Sequence, residues 1–124
     1  MAKIASHREL KVYQLSFEAG MDIFHLTKTF PKAETYSLTD QIRRSSRSVS
    51  GNLAEAWRKR RYEKAFVAKL SDVEGEAAET QTWLDYAHAC KYINIKEYKQ
   101  INEKYEHILG IIVNMIVNKE KWIL

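Results

Sequence analysis

The chain has 124 residues, with 20 Lys and Arg against 16 Asp and Glu, and 45% of its residues are apolar. That is the make-up of one soluble globular domain over 1–124, long enough to bury roughly two-thirds of its unfolded surface. It excludes a membrane-spanning protein, whose segments need about twenty apolar residues, and a disulfide framework, since Cys90 is the single cysteine.

One proline and four glycines leave little room for turns and favour a few long helices over many short strands. A lone cysteine suits a reducing compartment. The opening MAKIASHREL carries no apolar signal-peptide core, so a cytoplasmic protein is expected. The longest apolar run, Ile108 to Val117, is ten residues and includes Asn114.

Residues 1–7 read as a short loose arm. A first helix is expected over 8–29, and it is apolar on two sides. Leu10, Tyr13, Phe17, Met21 and Phe24 form one stripe, and Val12, Leu15, Ala19, Ile23 and Leu26 form another nearly opposite. A helix in a lone bundle usually buries one stripe. The first stripe is expected to face the core and the second to meet a partner chain. Pro31 ends this helix, because proline disfavours helical geometry in the residue before it.

The second helix, expected over 37–60, organises the chain. Ser37 is placed to cap it, with Asp40 in the first turn, where an acid opposes the helix dipole. At about 100° per residue, Leu38, Ile42, Ser45, Val49, Leu53 and Ala56 share one face. Gly51 lies inside that pattern and costs roughly 1 kcal/mol relative to Ala. Either a neighbouring backbone approaches closely there or the cost is simply tolerated. Gln41, Ser48, Asn52 and Glu55 flank the stripe. They form either an interhelical hydrogen-bond network or a solvated shoulder with a local Glu55–Lys59 pair.

The outer face of this helix is basic. Arg43, Arg47, Arg58 and Arg61 lie there with Arg44 beside them. Residues 38–61 hold seven Lys and Arg and two Asp and Glu, a net of +5, against +4 for the whole chain. The excess positive charge therefore belongs to one helix.

A change of phase near Arg60 marks a tight hairpin. The third helix, expected over 62–91, is acidic and buries Phe66, Leu70, Val73, Ala77, Thr80, Leu84 and Ala87. Asn94 with Glu97 forms a capping pair. The fourth helix, expected over 95–118, uses Tyr98, Ile101, Tyr105, Ile108, Ile112 and Met115. Its end is apolar on most sides, with Ile111, Val113 and Val117 off the core stripe. The chain closes on Trp122, Ile123 and Leu124. These features, with the second stripe of the first helix, point to a homo-oligomer. Its expected interface is Val12, Leu15, Ala19, Ile23, Leu26, Val113 and Val117.

No catalytic constellation is found. A bundle di-metal site needs two Glu-x-x-His pairs with partner glutamates, and Asp85 with His88 is the one near match. His7, His25, His88 and His107 stand at no ligand spacing. Cys90 and His88, two apart on a helix, diverge. There is no phosphate-binding glycine loop and no nucleophile elbow. A non-enzyme with no metal and no cofactor is expected.

The run Gln41-Ile42-Arg43-Arg44-Ser45-Ser46-x-Ser48-Val49-x-x-Asn52-Leu53-Ala54-Glu55 resembles the small bundle proteins encoded in intervening sequences of bacterial 23S ribosomal RNA genes. Leu10-x-Val12-Tyr13 and the Glu-rich third helix extend the likeness over nearly the whole chain. Ala56-Trp57 departs from it, since the family often has glycine after the Glu. The resemblance implies an all-α, antiparallel up-down four-helix bundle assembled into a homopentameric ring, with no established enzymatic activity. A similar bundle is the accessory variability determinant of diversity-generating retroelements, whose positive ring engages RNA and a reverse transcriptase. By that likeness Arg43, Arg44, Arg47, Arg58 and Arg61 face nucleic acid. Two functions follow. One is a nucleic-acid-binding accessory protein working by phosphate attraction. The other is a protein-interaction scaffold whose charged face is merely solvated. Among the arginines only Trp57 offers an aromatic surface, so sequence-specific readout of a single strand is not expected.

Overall fold

The computed structural model describes residues 3–124. Four helices carry the fold: α1 (Lys11–Thr27), α2 (Leu38–Arg58), α3 (Glu63–Ala89) and α4 (Ile95–Val117). Short 3-10 turns at His7–Glu9, Lys32–Glu34 and Lys119–Lys121 complete it, and no strand occurs among the described residues. Each helix packs on its neighbours in the chain, and α1 closes the square against α4. The loops fix the directions. Phe30 lies 5.5 Å from Tyr92, whose hydroxyl donates to Glu34 Oε2 at 2.8 Å. The α1–α2 and α3–α4 connections therefore share one end. At the other end the Leu124 N–H donates to the Arg60 carbonyl at 3.0 Å, beside the α2–α3 hairpin. Successive helices thus run in opposite directions.

The core is built from the expected faces of three helices. Every member of the stripes from Leu38 to Ala56 and from Phe66 to Ala87 is buried, as are Ile101, Tyr105, Ile108, Ile112 and Met115. The core is sealed between helices by small hydroxyls. Thr80 Oγ1 donates to Ser45 Oγ at 2.8 Å, and Ser16 and Ser50 share a hydrogen bond of 3.0 Å. Each of these four hydroxyls has a protein partner, so its burial carries no orphaned donor.

The first helix reverses the expectation. Val12, Ala19 and Ile23 are buried within the single chain and have no surface left for a partner, so they are not interface residues. Phe17 is 53% exposed and Met21 is also exposed, so the stripe expected in the core is largely the outer one. The reason is size. Ser16 and Thr27 lie in phase with Val12, Ala19 and Ile23, and this narrow stripe lets α1 settle between α2 and α4. The two hydroxyls satisfy themselves locally, Ser16 on the Tyr13 carbonyl and Thr27 on the Ile23 carbonyl. Leu15 and Leu26 are half-buried, and Val113 and Val117 are exposed.

The ends of the elements follow local chemistry. Of the arm expected over 1–7, residues 1 and 2 lie outside the described residues. Ser6 and Glu9 form a capping box around the first turn. Ser37 precedes α2 but its side chain makes no capping bond; Glu34 accepts from the Leu38 N–H at 3.3 Å instead. The 3-10 turn before it brings that carboxylate into place. Asn94 and Glu97 form the expected box at α4. After α3, Lys91 takes φ 64°, and Tyr92 N–H donates to the Ala87 carbonyl. This is a left-handed helix stop that glycine usually supplies.

Candidate nucleic-acid interface

The arginines of α2 and of the hairpin after it meet four different surroundings. Arg43 and Arg47 lean toward α1. Arg43 Nε donates to Thr27 Oγ1 at 2.8 Å, and its guanidinium lies 5.1 Å from the Phe24 ring centroid. The Arg47 guanidinium is 6.0 Å from the same ring, and Lys28 Nζ is 4.7 Å from it. One aromatic ring thus gathers three cations, each attracted by its electron-rich face. Arg58 and Arg61 are exposed at the hairpin end. Burial, then the charges of Arg8 and Arg58, hold the His7 imidazole below its ordinary range.

Arg44 belongs elsewhere. It lines a small cleft between α2 and α3 with Gln41, Ser48, Glu76 and Glu79. Burial and the neighbouring Glu79 and Asp72 push the Glu76 carboxyl up, while Arg44 pulls it down. Arg44 therefore faces acid from its own bundle, and it stands apart from Arg43 and Arg47. Arg60 is also committed to the fold. Its guanidinium stacks 3.4 Å from the Trp57 ring, and its Nε donates to the Trp57 carbonyl.

The ion pairs among the described residues all use lysine. Lys69 joins α3 to α2 through Glu55 at 2.9 Å and Asn52 at 3.4 Å, with Asp72 3.6 Å away. Of the shoulder of α2, Asn52 and Glu55 thus reach across to α3 through Lys69, while Gln41 and Ser48 line the small cleft beside Arg44. Lys104 joins α4 to Glu18 and Asp22 of α1. Among the described residues no arginine forms an ion pair with a carboxylate. The cations of the Phe24 cluster, with Arg58 and Arg61, therefore have no carboxylate partner among the described residues.

Between α1 and α2 runs a cleft of about 360 Å³. Tyr13, Phe17, Met21 and Phe24 form its α1 wall, and Ser46, Arg47, Ser50, Gly51 and Ala54 lie along α2. No carboxylate lines it. Gly20 and Gly51 keep it open: a Cβ at Gly20 would lie 3.9 Å from the Ser46 carbonyl, and one at Gly51 would meet nothing within 4 Å. Gly51 therefore answers to no close backbone approach. The sequence pattern hid this aromatic wall because large apolar residues look like core. The small in-phase residues Ser16, Ala19 and Thr27 were the signal that the other face is buried.

Among the described residues no group of three His, Cys, Asp or Glu is placed to hold a metal ion. Asp85 instead accepts from the hydroxyl of Tyr98, and the His88 ring stacks on the Tyr98 ring with centroids 5.0 Å apart. Among the described residues no helix is long and apolar enough to cross a membrane.

The profile of the 23S rRNA-intervening sequence protein matches residues 8–114. The fold is similar to a crystal structure of a protein with unknown function from the S23 ribosomal protein family from Bacteroides thetaiotaomicron VPI-5482. The two share 28% identity and a TM-score of 0.77, over 85% of this chain and 97% of that one. No curated protein matches the chain. With a match running from the first turn to the last turns of α4, this chain belongs to the 23S rRNA-intervening sequence protein family.

Proposed function

We propose that this protein is a non-enzymatic nucleic-acid-binding bundle that holds phosphates on the α1–α2 side of the molecule. The observation that carries the reading is the set of unpaired cations: Lys28, Arg43 and Arg47 around Phe24, with Arg58 at the far end of the same helix face. Arg43 and Arg58 are fifteen positions apart, about 22 Å along the helix, so the face can follow several phosphates. Guanidinium groups donate to phosphate in a planar fork. RNA is the polyanion the family likeness favours, and a reverse transcriptase is the protein partner it suggests. Arg61 extends the surface, and Arg44 is left out of it. A protein of the cytoplasm with a free Cys90 thiol fits this reading.

The same likeness suggests that copies assemble into a ring of five, which would multiply a weak face by repetition. The exposed Val113 and Val117, with half-buried Leu15 and Leu26, support such an interface. Val117→Glu should then lower the particle mass in light scattering without loss of helicity. An unchanged mass removes the end of α4 from the interface. A scaffold without nucleic acid is the competing reading, favoured by the exposed Phe17 and Met21.

The deciding experiment is binding of nuclease-treated protein to structured ribosomal RNA fragments. Affinity should fall steeply with salt and be weaker in Arg47→Glu with Arg58→Glu. No binding at low salt would return the protein to the scaffold reading.

A further inference from the structure

We infer that the α1–α2 cleft seats unpaired bases of a single nucleic-acid strand, with the strand's phosphates on Arg43, Arg47 and Lys28. This rests on the nucleic-acid reading and adds the form of the ligand to it. Single-strand binders combine a positive groove with aromatic side chains on which bases stack. Both parts meet here. Phe17 is 53% exposed and lies 6.3 Å from Tyr13 along the wall. Phe24 stands two helical turns on, about 10 Å away, with three cations around it, of which Arg47 lines the cleft.

The floor argues for stacking rather than reading of base edges. The Ser46 hydroxyl donates to the Arg43 carbonyl at 3.0 Å, and the Ser50 hydroxyl is shared with Ser16. Gly51 and Ala54 offer no polar side chain. A strand held this way is bound with little sequence preference. A duplex keeps its base faces stacked inside, so it can use the arginines but not the cleft.

The occupant is chosen by charge. No acidic residue lines this cleft, and its lip is guanidinium. The other large groove, between α1 and α4, carries Asp22, Glu97 and Glu103 against Lys104, which is already paired with Asp22, and so suits a phosphate chain less well. A second copy of the chain, offering its acidic α3, is the occupant the experiment must separate.

The test is fluorescence anisotropy with a labelled twelve-nucleotide oligouridylate and a twelve-base-pair RNA duplex, each at low salt. The wild type should favour the single strand. Phe17→Ala should weaken single-strand binding about tenfold, as expected for the loss of one stacked base, and leave duplex binding unchanged. Phe17→Leu keeps apolar bulk without the ring and should behave like Phe17→Ala. Arg47→Glu should weaken both ligands. If single-strand affinity survives Phe17→Ala while Arg47→Glu lowers it, the strand runs over the basic face outside the cleft. The inference then falls and the nucleic-acid reading stands. If the wild type binds neither ligand, both fall. A particle mass that drops with Phe17→Ala would make a second copy the occupant and overturn the inference.

Discussion

The two grooves beside α1 share a helix and differ in what their charges do. On the α4 side, Glu18 and Asp22 are already joined to Lys104, and the seam spends its charge on holding two helices together. On the α2 side, three cations surround an aromatic ring and no carboxylate answers them. A charge paired within the fold sets register; a charge left unpaired beside a cleft is available to a ligand. The same helix supplies both because its narrow stripe of Val12, Ala19 and Ile23 holds it in the core between the two seams.

The sharpest way to break this contrast is to exchange the buried and the exposed side of α1. Ile23→Ala should cost about 2–5 kcal/mol in denaturant unfolding, as for other buried large-to-small changes. Phe17→Ala, on the cleft, should cost less than about 1 kcal/mol. Similar costs would mean that the aromatic wall belongs to the core after all. The Ile23→Glu and Leu26→Glu pair, which the sequence alone would offer as an interface test, would instead unfold the chain at Ile23.

The α4 seam should respond to alkaline pH. Burial pushes the Lys104 ammonium down, but its hydrogen bonds to Asp22 and Glu18 and their charges more than offset this, and its pKa is raised. A raised lysine stabilises the fold fully below its unfolded pKa and loses that contribution as pH rises through the folded value. Stability from this contact is therefore present at neutral pH and lost above about pH 10.5. Lys104→Met should remove about 1 kcal/mol at neutral pH and flatten this part of the alkaline loss. An unchanged alkaline slope would show that the lysine is not what joins the helices.

A smaller change tests the end of the bundle away from the hairpin. Lys91 holds a left-handed backbone that costs an ordinary side chain about 1–2 kcal/mol. Lys91→Gly should stabilise the protein by about 0.5–1 kcal/mol, since glycine's greater freedom when unfolded offsets part of the gain. A lower melting temperature would contradict this account of the turn. Tyr92, the next residue, should be left in place: its hydrogen bond holds the Glu34 carboxyl below its ordinary range and pushes the Tyr92 hydroxyl up to about 12.

Much of the fold could be read from the chain. The faces of α2, α3 and α4, the hairpin near Arg60 and the Asn94–Glu97 box all follow from spacing and cap chemistry. The face of α1 could not, because both of its sides are apolar and periodicity does not weigh small hydroxyl residues. That one inversion also hid the candidate site. Arg43 and Arg47 stand out on the outer face of α2, but the apolar pattern places Phe24 in the core and gives no signal for Lys28, the residue just after α1. Arg44 was grouped with them by position, and only the packing of α3 shows it facing Glu76. Ser37 failed as a cap because Glu34, one 3-10 turn earlier, reaches the free N–H first.

The central claim is that the unpaired cations of α2 bind phosphate. The most direct measurement is the salt dependence of RNA affinity for the wild type and for Arg47→Glu with Arg58→Glu. Each lost phosphate contact should lower the slope of log affinity against log salt by about 0.7 for a single strand. The double change should therefore weaken binding and reduce the slope by about 1.4. An affinity and slope equal to those of the wild type would contradict the account and leave the basic face as solvated surface.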